Sequence, residues 1–223
     1  MRALTDLINQ KETAWPDVQS WAADAKNAIE ILPTTRPAGE QALLYIQVTT
    51  RSPMGAIALE TGGIIVDDGF LRILGAGGPR MSSSLVNWNS RAPHLGIKGG
   101  LVIALDATGG VFALNDGSLP GARGHVAYFA PDTLEWESLD MNYSEFINFL
   151  FSGDLDEFFR GLRWTTWRDD VRVLPLDRAF HQYPPLFTRE GRPGNNVSRK
   201  AVPAEELVGV NFSIRAQLDG GPS

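Results

Sequence analysis

The sequence predicts an α+β domain: helices packed on a mainly antiparallel sheet of about six strands. Apolar residues recur at three- and four-residue steps in the first sixty positions and again after residue 142. Between them, short apolar runs are joined in pairs by turn residues. No repeat or low-complexity linker divides the chain, so residues 1–223 read as one domain.

Trp15, Val18, Trp21, Ala22 and Ala25 mark a first helix, with Pro16 near its start, where a missing N–H costs little. Ile29–Leu32 is a short extended piece stopped by Pro33. A helix after Pro37 carries Ala42, Leu43 and Ile46 on one face, and another spans Pro53–Glu60. The pair Gly62-Gly63 is expected to end it in the left-handed conformation. Ile64-Ile65-Val66 and Phe70–Leu74, joined through Asp67-Asp68-Gly69, form a hairpin. Gly75–Pro79 and the polar stretch Ser82–Ser90 then read as loop. Leu101–Asp106 with Val111–Leu114 gives a second hairpin, and His125–Phe129 with Leu134–Leu139 a third, turning at Pro131-Asp132.

Tyr143, Phe146, Ile147, Leu150 and Phe151 fit an amphipathic helix, with Asn142 and Glu145 spaced as a capping box and Gly153 placed as a C′ glycine. A second helix capped by Asp154 buries Leu155, Phe158, Phe159 and Leu162; Trp164, Trp167 and Val171 suggest a third, ending before Pro175. Residues 175–200, with their prolines, glycines and Asn195-Asn196, read as a long loop, the region expected to be most mobile. Val208, Val210, Phe212 and Ile214 alternate as in a strand, whereas Leu207, Asn211, Ile214 and Leu218 describe a helical face. That pattern leaves both open.

The chain has no cysteine and three histidines, which excludes disulfides, thiolate metal sites and a cysteine nucleophile. Its net charge is −6 with a pI near 5.1, which argues against a nucleic-acid partner. No apolar run approaches the ~20 residues of a membrane span, and Asp6, Asn9 and Gln10 break any signal-peptide core. A cytoplasmic location is therefore expected.

Few motifs suggest chemistry, and no catalytic residue, metal ligand set or cofactor site is assigned. Gly75-Ala76-Gly77-Gly78-Pro79 follows a strand but lacks the spacing of a phosphate loop, and Pro79 removes a donor. Ser82, Ser83 and Ser84 have no activating partner in the sequence, and Trp15, Trp21, Trp164 and Trp167 read as core. Asp67 and Asp68 could act as paired carboxylates, although aspartates that bond their own backbone in a turn are the simpler account. A metal site would need distant assembly, for example His94 with Asp67 or Asp68; His125 and His181 are equally isolated.

Charge distribution says more. Between 132 and 159 lie eight acidic residues (Asp132, Glu135, Glu137, Asp140, Glu145, Asp154, Asp156, Glu157) and no Lys or Arg. From 160 to 200, nine basic residues face four acidic ones. These segments could neutralise each other, or the first could be an acidic face that steers in a basic partner.

Thr49-Thr50-Arg51-Ser52-Pro53-Met54-Gly55-Ala56, Glu60-Thr61-Gly62-Gly63 and the Asp67–Leu74 hairpin resemble a bacterial family known as domain of unknown function 2625. Gly153–Phe159, Leu162-Arg163-Trp164 with Trp167, Tyr183-Pro184 and Pro203 with Glu205-Glu206-Leu207 extend the likeness over most of the chain. That family implies no activity. More distantly, a helix ending in Gly-Gly followed by a strand, an Asp-Gly turn and a strand is similar to the core of the SUKH superfamily of immunity-type proteins, with Thr61-Gly62-Gly63 in place of its usual Asn-Gly. This second resemblance implies an α+β, SUKH-like fold and a non-enzymatic protein that binds a partner such as a basic toxin.

The expected function is thus protein binding through Asp132, Glu135, Glu137, Asp140, Asp154, Asp156 and Glu157. The alternatives are a small hydrolase using Asp67 or Asp68 with a distant histidine, and a small-ligand sensor built on Gly75–Pro79.

Overall fold

Short apolar runs joined by tight turns pair most simply with their sequence neighbours, and the computed structural model, which describes residues 1–191 and 197–220, follows that rule. Helices α1 (Leu4–Leu7) and α2 (Trp15–Ala23) precede edge strand β1 (Ile29–Leu32). Then come α3 (Arg36–Ile46), α4 (Pro53–Glu60), β2 (Gly63–Val66), β3 (Leu71–Leu74) and α5 (Leu85–Arg91). Strands β4 (Gly100–Asp106), β5 (Val111–Asn115), β6 (His125–Ala130) and β7 (Glu135–Asn142) complete a seven-stranded antiparallel sheet in the order β1 to β7. Helices α6 (Tyr143–Ser152), α7 (Leu155–Phe158) and α8 (Trp167–Val173) follow. A separate antiparallel pair, β8 (Arg178–Tyr183) and β9 (Ser198–Pro203), leads into α9 (Ala204–Leu218).

The α+β class holds, with seven strands in the main sheet where about six were expected. Both faces of the sheet are covered. On one, Phe112 and Tyr128 stack and meet Phe146, Phe158 and Phe159 of the α6–α7 region. On the other, Phe129 stacks on Phe212 of α9, with Trp136 beside it. Ile65, Arg72, Leu105, Val111 and Phe129 are cross-strand partners and so share this second face. Arg72 is fully buried there and donates from Nη1 to the Arg178 carbonyl (2.7 Å), which ties the main sheet to β8. Burial lowers its pKa to about 10, against the pull of Asp106 and Asp177.

Several expectations are corrected. Ser82–Ser90 is not all loop: Ser84 caps α5 by accepting from Asn87 N (3.1 Å), and Trp88 fills the core. Residues 175–200 are not one loop, because β8 and β9 pair register by register from Arg178↔Pro203 to Tyr183↔Ser198. Asn195-Asn196, part of the stretch expected to be mobile, lies outside the described residues. The open choice over 208–218 resolves as the helix α9.

The end of α4 is extended at Thr61, so Gly62 is there for space: a Cβ would lie 2.7 Å from the Pro33 carbonyl oxygen. Gly153 also has extended backbone rather than a left-handed one, and a Cβ there would lie 2.6 Å from the Phe149 oxygen. The Asn142/Glu145 capping box forms as its spacing predicts.

Candidate functional site

The β2–β3 hairpin turns on Asp67 and Asp68, both left-handed (φ 53° and 60°), a conformation aspartate tolerates better than most residues. Neither carboxylate serves the turn. Asp67 is buried and ion-pairs through Oδ2 with Arg163, itself buried. Arg168 approaches Asp67 Oδ1 and Asp68 Oδ2, each at 3.5 Å, while Arg172 donates to Asp68 Oδ1 from Nε (3.3 Å) and Nη2 (3.2 Å). Arg163 also pairs with Asp156, and its guanidinium lies over Trp167 (4.0 Å), Phe70 (4.8 Å) and Phe159 (5.3 Å). Burial pushes the Asp67 carboxyl above its ordinary value despite Arg163 and Arg168. The simple turn reading of Asp67-Asp68 is therefore corrected: these side chains bolt the hairpin tip to α8.

The sequence reading missed those arginines. A signal existed, because Arg168 and Arg172 stand four apart and so share one face of α8. No hydrogen bond among the described residues joins Asp67 or Asp68 to a histidine. His94 and His181 are exposed on the Ala92–Leu95 turn and on β8, and His125 opens β6. Among the described residues, no three His, Asp or Glu side chains converge to hold a metal ion. The hydrolase alternative gains nothing from this geometry.

Fixing α8 also fixes the chain that follows it. Val171–Leu176, the hairpin tip and β1 enclose an open cleft of about 500 Å³. Its floor includes Ile65, Val171, Leu174 and Leu176. Two ion pairs are among its lining: Arg80 with Glu30, and Arg172 with Asp68. Val173, on the wall, is 81% exposed.

The seven acidic residues expected to bind a partner are all exposed, but they do not form one surface. Asp154 caps α7 by accepting from Glu157 N (2.9 Å). Asp156 pairs with Arg163 and Arg168, and Glu157 with Arg160. Here the acidic and basic segments neutralise each other. Asp132, Glu135, Glu137 and Asp140 instead lie on the β6–β7 turn and along β7, the far edge of the sheet. Glu135 pairs with Arg215 of α9 (2.9 Å). Partial burial, with Asp132 and Glu135 nearby, holds the Glu137 carboxyl above its usual value. Asp140 is left-handed (φ 52°), exchanges hydrogen bonds with Ser138, and sits where the β6–β7 register shifts.

The glycine loop offers no anion cradle. The N–H groups of Ala76, Gly77 and Gly78 donate to the carbonyls of Thr61, Gly62 and Met81, and Pro79 has none. Ser82 and Ser83 serve Asp177, whose carboxylate accepts from both backbone N–H groups (3.0 and 2.8 Å) and from the Ser82 hydroxyl.

Residues 4–207 match the family described as "Protein of unknown function DUF2625". The chain is 43% identical over 217 residues to the "Putative uncharacterized protein YbfG" of Escherichia coli (strain K12), covering 96% of this chain and 98% of that protein. It is 36% identical over 222 residues to an "Uncharacterized protein" of Haemophilus influenzae (strain ATCC 51907 / DSM 11121 / KW20 / Rd), covering 98% and 97%. These matches do not extend to the SUKH superfamily.

Proposed function

The chain belongs to the DUF2625 family, and for this member we propose a non-enzymatic role: one cytoplasmic domain that recognises a basic protein partner. The observation that carries this reading is the one-signed run Asp132, Glu135, Glu137 and Asp140 along the β7 edge. Burial first, and after it the neighbouring charges of Asp132 and Glu135, raise the Glu137 carboxyl above its usual value. Arg215 offsets the charge at Glu135, and a cationic partner would compensate those of Glu137 and Asp140. The bulge at Asp140 and the charged side chains disfavour strand addition at this edge, so contact is made by side chains and long-range attraction. The immunity-type role implied by the SUKH resemblance is the version of this reading in which the basic partner is a toxin.

The test is fluorescence anisotropy with a labelled peptide of alternating lysine and glycine. Binding should weaken between 50 and 200 mM salt, as screening requires (about a 10 Å Debye length at 0.1 M). It should weaken at least tenfold when Glu135, Glu137 and Asp140 become Gln, Gln and Asn. Equal affinity for wild type and this variant would overturn the proposal.

A further inference from the structure

We infer that the slot between α9 and β8 is a small-molecule site, which takes the primary amide of a neutral ligand against Asn211. Phe180 of β8, Phe187 beyond it, and Leu207, Val210 and Ile214 of α9 give the slot an apolar lining. Asn211 also lines it and is only 6% exposed. Its side-chain amide meets no hydrogen-bond partner among the described residues. The other buried polar side chains of the lining are committed elsewhere. Thr108 donates to Asp106 Oδ1 (2.7 Å), and Gln182 donates to the carbonyls of Pro184 and Gly191.

Packing, rather than hydrogen bonding, sets the position of Asn211. Phe212 beside it stacks on Phe129 (4.0 Å). The β4–β5 turn comes close at Gly109, where a Cβ would lie 3.2 Å from Asn211 Nδ2. A buried amide without a partner is unfavourable by itself, and a ligand that pairs with it recovers the loss.

The lining also selects the ligand. It contains no Asp, Glu, Lys or Arg, so nothing there compensates a buried charge and the ligand is neutral. An asparagine amide shows a donor and an acceptor side by side. A primary amide matches both on one edge, whereas a ketone only accepts and a carboxylate sets oxygen against oxygen. The slot has about 30 Å³, room for roughly two or three water-sized groups, which suits the three heavy atoms of an amide. The apolar remainder of the ligand would lie on Val210, which is 44% exposed.

The test is a nitrogen–proton NMR titration of the full chain with three probes that share one ring: benzamide, acetophenone and benzoate. Benzamide should shift the Asn211 side-chain amide and the backbone signals of Phe180 and Leu207. It should bind at least tenfold more tightly than either other probe, because a site built for two hydrogen bonds rejects a group that makes fewer. Asn211→Leu keeps the branched shape but removes the amide. It should bring the three affinities within twofold of one another without lowering the melting temperature. Val210→Trp covers the slot from a partly exposed position and tests the site independently of Asn211; it should weaken benzamide at least tenfold. Neutralising Glu135, Glu137 and Asp140 should change none of these affinities, which keeps this site apart from the β7 surface. Equal affinities of the three probes for wild type, no shift at Asn211 with benzamide, or benzamide binding undiminished by either substitution would overturn the inference.

Discussion

Asp67 and Arg163 show how one ion pair can be costly and still required. Both side chains are 6% exposed, and taking two charges out of water costs several kcal/mol each unless they meet. Arg163 recovers part of that cost from Asp156 and from the faces of Trp167 and Phe70. Removing Arg163 leaves Asp67 only the 3.5 Å contact with Arg168, and removing Asp67 leaves Arg163 only the exposed Asp156, so either loss leaves a buried charge poorly compensated. Asp67→Ala and Arg163→Met should each lower unfolding stability by about 3–5 kcal/mol. The double variant should lose less than the sum, and urea denaturation of all four proteins measures the difference. The raised Asp67 pKa sets the pH sign: the folded state holds this proton more tightly than the unfolded state. Its share of stability is therefore largest below the ordinary carboxylate value and is lost as pH rises through the raised one. This pairing was not legible in the sequence, because residues 67 and 163 are adjacent only after the whole sheet has formed.

At the scale of elements, legibility followed periodicity. Helix α6 and its capping box, the three hairpins and the bounds of α4 were all readable from spacing. Helix α5 was hidden because four serines and two asparagines between 82 and 90 outweigh its apolar residues in a local count; its stability comes from Trp88 in the core and the Ser84 cap. β8 and β9 were hidden because each finds its partner some twenty residues away along the chain, across a stretch rich in proline and glycine. What joins these late elements to the sheet is partly Asp177, just before β8, which accepts hydrogen bonds from Ser82 and Ser83. Burial opposes its charge, but the Ser83 and Ser82 bonds hold its carboxyl below the usual value. A depressed carboxylate contributes stability that is present above the unfolded pKa and lost as pH falls through the folded one. Asp177→Ala should therefore cost about 1–3 kcal/mol at pH 7. The gap from wild type should close as pH is lowered below 3.8, which urea midpoints across pH 3 to 7 would follow.

Across the whole molecule, the net charge of −6 hides an uneven distribution. Part of the acidic stretch is neutralised by the arginines that follow it, at Asp156 and Glu157, and part caps helices, at Glu145 and Asp154. The sequence displayed the excess but not this division, since which acids meet an arginine depends on how α7 and α8 pack. The proposed recognition surface is the β7 edge, and the opposite edge, β1, differs from it in charge and regularity. The two edges of the sheet thus differ in character: β7 carries a one-signed run and a register shift, and β1 has neither. The most direct measurement is a nitrogen–proton NMR titration of the full chain with the lysine–glycine peptide. Shift changes concentrated at residues 131–142 and absent from β1 are the predicted result. Changes spread evenly over exposed carboxylates such as Asp17, Asp24 and Asp169, with none concentrated on β7, would contradict it.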